Sequence, residues 1–171
     1  MLKLTAILLI ASFVILSCAQ QREKIETKEH PMANPEMETN DLTIFGRKYA
    51  EAWCSQIPDR VASFYAENGS LKVNNGPPSV GREAIAKSAE GFMTSFPDMV
   101  VTMDSLVAKP EGVEFHWTLT GTNTGPNGTG KKVSIRGFEL WQINEVGLVG
   151  KSIGSFDTAE YNRQLQYGVG K

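Results

Sequence analysis

The rhythm of apolar and polar positions changes several times along this chain. Residues 4–16 are almost wholly apolar, with Lys3 ahead of them and no further charge before Arg22. That run is too short to cross a bilayer, which takes about 20 apolar residues. Its basic start and the small residues before its end read as a secretory signal over residues 1–17. From 18 to 40 the apolar positions scatter among Pro31, Pro35 and many charges. Such a composition buries too little surface to fold alone and reads as a flexible tether. Periodicity begins at Asp41, a candidate N-cap for a helix with Leu42, Phe45, Tyr49 and Trp53 on one side.

Pro58 suits the first turn of a second, short helix carrying Val61, Phe64 and Tyr65 and ended by Asn68-Gly69. A short strand over 70–73 and a Pro/Gly loop over 74–78 follow. A third helix is expected from about Arg82 to Ser95, with Ile85, Ala89, Phe92 and Phe96 on one face and Pro97 as its stop. The period then drops to two. Residues 99–107, 113–122, 133–143 and 148–156 read as four successive strands, and a last helix spans about 158–166. Helices first and strands afterwards predict an α+β domain over 41–171, with helices on one face of a curved antiparallel sheet. No internal repeat is visible.

Charge and motifs narrow the function. The chain has 17 basic and 19 acidic residues in 171. The tether takes five of the acidic residues and three of the basic ones, so the folded part is close to neutral and offers no electrostatic footprint for nucleic acid. The stretch Gly125-Pro126-Asn127-Gly128-Thr129-Gly130-Lys131 imitates a phosphate-binding loop, but Lys132 stands where that loop needs Ser or Thr. A strand rather than a helix follows it, which removes the helix terminus that would meet phosphates.

The only cysteines are Cys18 and Cys54. Ile15-Leu16-Ser17-Cys18 resembles the bacterial lipobox, although Leu16 is bulkier than the usual residue there. The resemblance implies cleavage before Cys18 and a diacylglyceryl group on its thiol. The domain is then expected at the cell envelope, touching the membrane through its lipid anchor alone. A lipidated Cys18 leaves Cys54 no disulfide partner, and Cys54 is expected to pack as a small hydrophobe.

Further pieces occur in a telling order: Phe45 to Trp53, Phe64-Tyr65-Ala66, Val80-Gly81-Arg82-Glu83-Ala84-Ile85, Phe96-Pro97-Asp98, Gly121-Thr122-Asn123-Thr124-Gly125 and the strand of Trp141. Together they resemble a SnoaL-like domain of the nuclear transport factor 2-like superfamily. The resemblance implies a cone in which a strongly bent antiparallel sheet wraps a pocket under three helices. It also implies a homodimer through the outer sheet face. Polyketide cyclases of this family close rings by aldol chemistry without a cofactor, using a carboxylate and often a His in the closing strand. Their closing strand commonly shows Glu or His, then Trp, then Asp. Here Ile153 and Gly154 replace part of that pattern and only Asp157 matches.

Strand parity then sorts candidates for the pocket. Val113, Phe115, Trp117 and Leu119 share a face, with His116 on the other. Val133, Ile135, Glu139, Trp141 and Ile143 share a face, as do Val149, Ile153 and Asp157. Glu139 and Asp157 therefore fall in apolar rows, where a carboxylate's charged form is disfavoured and its raised pKa suits proton transfer. Glu139 could instead pair with Arg82 or Arg136, or be turned to solvent by a bulge. Asp157 could equally cap the last helix. Asp157, Glu139 and His116 are the catalytic candidates, and Trp53, Tyr65, Phe92, Trp117 and Trp141 the pocket candidates. No metal site is expected from so few histidines. Two functions fit: a cofactor-independent cyclase or isomerase acting on a small apolar carbonyl compound, or a non-catalytic module binding a small apolar ligand or a protein partner.

Overall fold

The computed structural model describes residues 35–170, with side chains from Asp41 onward; Cys18, the leader and most of the tether lie outside the described residues. In chain order the elements are α1 (Pro35–Cys54), α2 (Pro58–Ala62), β1 (Tyr65–Val73), β2 (Ser79–Val80), α3 (Arg82–Ser95), β3 (Val100–Lys109), β4 (Gly112–Thr122), β5 (Lys132–Ile143), β6 (Val149–Phe156) and α4 (Thr158–Tyr167). The class is α+β, as the pattern predicts.

Two boundaries differ from expectation. The first helix starts at Pro35 rather than after Asp41, so residues 35–40 belong to α1 and not to a tether. Proline is well placed there, because its φ is already helical and the amide it lacks has no intrahelical partner in a first turn. Phe64 and Tyr65 leave the second helix: α2 stops at Ala62 and Tyr65 opens β1. Asn68-Gly69 falls inside β1, where the register against β6 shifts between Tyr65 and Ser70. A Cβ on Gly69 would lie 2.8 Å from the Val149 carbonyl, so only glycine lets the two strands approach.

The strands form one six-stranded curved sheet in the order β2-β1-β6-β5-β4-β3. Neighbours run antiparallel except β1 and β6, which run parallel. The expected wholly antiparallel sheet is therefore a mixed one. A parallel pair needs a long crossover, and everything between β1 and β6 supplies it.

Three helices press apolar rows onto this sheet. Phe45, Tyr49 and Trp53 recur at four-residue spacing on α1 and bring their rings to the sheet. On α3 the buried row is Ile85, Ala89 and Met93, with Phe96 buried just beyond the helix end. Phe115 of β4 and Trp141 of β5 stack with centroids 4.6 Å apart and planes 13° apart. Tyr49 meets both edge-on, at 5.5 and 5.0 Å. Such aromatic pairs add roughly 0.5–1.5 kcal/mol each beyond their buried area.

One irregularity decides which side of the closing strand faces inward. Ile143 pairs with Val149 but Gln142 pairs with Lys151, leaving Gly150 as an extra residue. This bulge shifts the alternation by one. Ser152 and Gly154 are consequently the buried positions of β6, whereas Lys151 is exposed. The expected row of Val149, Ile153 and Asp157 does not exist.

Candidate functional site

Three cross-strand rows meet on the inner face of the sheet. Trp141 lies opposite Ser152, Glu139 lies between Phe115 and Gly154, and Gly137 lies between Trp117 and Phe156. Over these rows α1 lowers Trp53 and α3 lowers Phe92, whose rings meet at 6.1 Å. The result is a cavity of about 50 Å³ with Trp53, Phe92, Phe115, Trp117, Phe156 and Glu139 among its walls. A water molecule needs roughly 10–15 Å³ on this measure, so the space suits a small molecule.

Two glycines make the room. A Cβ on Gly137 would fall 2.5 Å from Trp117 Cζ2, so the indole lies across a position only glycine can hold. Gly154 lines the cavity beside the carboxyl, and a Cβ there would meet Glu139 Cγ at an ordinary 3.5 Å.

Glu139 is 6% exposed and held from several sides. Ser152 Oγ donates to Oε2 at 2.6 Å and Trp141 Nε1 donates to it at 3.0 Å. Tyr49 donates to Oε2 at 3.1 Å and reaches Oε1 at 3.3 Å, and Tyr65 donates to Oε2 at 3.3 Å. The two tyrosine hydroxyls lie 2.8 Å apart, so one can serve the other. Oε2 therefore carries most of the donors and Oε1 few. Burial raises the Glu139 pKa, and the hydrogen bonds from Ser152, Trp141, Tyr49 and Tyr65 pull the other way without cancelling it. Burial, then the charge of Glu139, pushes Tyr65 well above its ordinary value, and the same causes act on Tyr49. Both tyrosines thus stay neutral donors at any ordinary pH.

Neither arginine considered as a partner for Glu139 serves it. Arg82 Nε donates to the Tyr65 carbonyl at 2.8 Å, and Arg136 is exposed. No bulge turns Glu139 outward; its ladder against β4 is regular.

The other candidates separate. Asp157 is exposed, off the cavity wall, and caps α4 by accepting from the Glu160 amide at 2.9 Å. The bulge at Gly150 removes it from the inward row, so the reading as helix cap replaces the reading as pocket carboxylate. His116 lies opposite Phe138 on the outer face, with Nε2 3.0 Å from Glu114 Oε2. It is not a cavity residue. Trp53, Phe92 and Trp117 line the cavity, whereas Tyr65 and Trp141 stand behind it as donors to Glu139. Ser152, Gly154 and Phe156 went unread in the sequence because the bulge breaks simple alternation. Cys54 Sγ donates to the Val101 carbonyl at 3.3 Å and accepts from its amide at 3.1 Å, a structural tie between α1 and β3.

Trp117 carries one further feature. Its Nε1 is buried and, among the described residues, no group accepts from it.

Comparison with known proteins agrees with this architecture. The family model of the SnoaL-like polyketide cyclases matches residues 43–165. No curated protein matches the chain. Among solved structures, a protein with a ketosteroid isomerase-like fold from Catenulispora acidiphila, in complex with trimethylamine, superposes with a TM-score of 0.60 at 16% identity, covering 77% of this chain and 93% of that one. A protein assigned as a SnoaL-like polyketide cyclase from Jannaschia sp. CCS1 gives 0.61 at 14%, covering 74% and 91%. TsrD from Streptomyces laurentii gives 0.63 at 17%, covering 74% and 95%. At such identities the likeness concerns the fold.

Proposed function

This chain belongs to the SnoaL-like polyketide cyclase family, and we propose that its cavity takes a small apolar molecule with which Glu139 exchanges a proton. The reaction class would be a cofactor-independent cyclisation or isomerisation. One observation carries the reading: among the described residues Glu139 is the only ionisable side chain on the cavity wall, and burial raises its pKa. A carboxyl tuned upward in this way is a better match to a proton held on carbon or oxygen near neutral pH. The surrounding rings exclude water and hold an apolar substrate against it. Through Cys18 the domain would work at the cell envelope on a lipid anchor.

The test is Glu139→Gln in the full chain, assayed against a panel of small cyclic ketones and dicarbonyl compounds. Loss of turnover with retained binding supports proton transfer. Turnover that survives the substitution removes Glu139 from the chemistry.

A second reading, binding without turnover, is favoured by how fully Glu139 is engaged with its own donors. A carboxylate among aromatic rings also suits a small organic cation, and the Catenulispora relative is held with trimethylamine. Saturable binding with no chemical change in any panel member distinguishes it.

A further inference from the structure

We infer that Glu139 holds its exchangeable proton on Oε1 alone, with Ser152 and Trp141 as the positioning residues that reserve Oε2 as the carbonyl-type oxygen. The inference rests on the proton-transfer reading above and names the atom through which that transfer would run.

The two oxygens of this carboxyl are unequally occupied. Each offers about two lone-pair sites to donors. Oε2 receives Ser152 at 2.6 Å, Trp141 at 3.0 Å, Tyr49 at 3.1 Å and Tyr65 at 3.3 Å. Oε1 is reached by Tyr49 at 3.3 Å. A proton on Oε2 would take a site already in use and strand a buried donor, which costs free energy. A proton on Oε1 displaces only the long contact from Tyr49.

The two nearest donors are held in place. Trp141 and Ser152 are cross-strand partners on β5 and β6, both fully buried, and the Trp141 ring is stacked on Phe115. Trp141 stands two residues from Glu139 on β5, which puts both side chains on one face. An indole N–H has no acceptor role, so Trp141 faces Oε2 as a donor in either state of the carboxyl.

The tyrosines serve both states. The Tyr49 hydroxyl lies within reach of Oε2, of Oε1 and of the Tyr65 hydroxyl, the last at 2.8 Å. With Glu139 ionised, Tyr49 donates to the carboxylate. With Glu139 protonated, Oε1 donates to Tyr49, Tyr49 to Tyr65, and Tyr65 to Oε2. That ring leaves every hydroxyl proton with an acceptor. The two states differ by rotation of hydroxyl hydrogens, without heavy-atom movement, which is how a preorganised site avoids reorganisation cost. When Oε1 gives up its proton, the O–H electron pair stays on the carboxylate and the accepting ligand atom gains the proton.

The experiment is infrared spectroscopy of the full chain in detergent micelles, in acid solution where Glu139 is protonated. Subtracting the spectrum of Glu139→Gln isolates the carbonyl band of Glu139. Hydrogen bonds to a carbonyl oxygen lower its stretching frequency. We expect a wild-type band well below that of a monomeric carboxylic acid in an apolar solvent. Ser152→Ala should raise it, because the carbonyl oxygen loses its shortest donor, and Tyr49→Phe should move it less. The opposite ranking, or a wild-type band at the apolar-monomer frequency, places the proton on Oε2 and overturns the inference. If either variant fails to fold, the wild-type band decides. For any compound that is turned over, Ser152→Ala should lower kcat about tenfold or more, as for a lost hydrogen bond to a charged group, with KM within about twofold. An unchanged kcat overturns the positioning role. If no compound is turned over, the reaction proposed above falls, and the band alone upholds or overturns the place of the proton.

Discussion

Ser152 gives its hydroxyl proton to Glu139 Oε2 at 2.6 Å, the shortest contact this buried carboxyl makes. Ser152 is itself fully buried, so the pair leans on no solvent. Ser152→Ala removes a bond that favours the ionised form, and the Glu139 pKa should rise further. Carbon-13 NMR titration of the side-chain carboxyl reads that rise directly. Stability should fall by about 1–2 kcal/mol, the cost of losing one hydrogen bond to a buried polar group. An unmoved or lowered pKa would show that the serine does not donate.

The raised pKa of Glu139 makes stability depend on pH in a definite direction. In the unfolded chain this group titrates near its ordinary 4.5, and in the folded chain it titrates higher. Its contribution to stability is complete in acid. As pH rises above the unfolded value, the unfolded chain sheds the proton first, and the contribution drains away until pH passes the folded value. Glu139→Gln cannot titrate. The melting temperature of the variant minus that of the wild type should therefore be more positive at about pH 7 than at about pH 4. A difference that stays flat would falsify the raised pKa.

Gly154 offers a way to narrow the cavity without disturbing its frame. A methyl there meets Glu139 Cγ and the Lys72 carbonyl at 3.5 Å, ordinary contact distances. Gly154→Ala should leave stability unchanged or raise it by up to about 1 kcal/mol, through the stiffer unfolded chain. Ligand affinity and turnover should drop, because the methyl occupies space beside the carboxyl. Calorimetry on the same preparation measures both quantities.

Asp157 separates helix capping from chemistry. Asp157→Ala should cost about 1 kcal/mol through the lost cap of α4 and leave ligand binding unaltered. A large loss of turnover with an intact melting temperature would return Asp157 to the reaction.

The anchor proposal has its own variant. Cys18→Ser should abolish acylation, visible by mass spectrometry, and release the protein from the membrane fraction. Membrane retention unchanged by the substitution would remove the lipid anchor.

Much of the fold is legible in periodicity alone. The third helix is placed at its observed ends, and the long strands fall within a residue or two, because period and punctuation agree there. Tyr65 is misplaced because Phe64-Tyr65 continues a helical spacing that Pro58 starts, while sheet pairing captures Tyr65 instead. Local pattern cannot see that competition. Glu139 is legible as a carboxylate in an apolar row, since β5 pairs regularly with β4. Its donors are not, because Ser152, Tyr49 and Tyr65 come from three other elements and converge only in the fold. The orphaned indole of Trp117 is invisible in sequence for the same reason.

The extra residue in β6 reaches well beyond its own strand. Regular pairing carried on from Val149 would set Lys151 against Trp141 and Ile153 against Glu139, filling the space with a butyl side chain and an ammonium. With Gly150 unpaired, Ser152 and Gly154 take those places, one as a donor and the other as empty volume. The chemistry of the interior is thus written by counting as much as by composition. Insertions or deletions over residues 149–151, none of which touches the cavity, would recode it wholesale, and relatives sharing every wall residue yet differing by one there should bind different molecules.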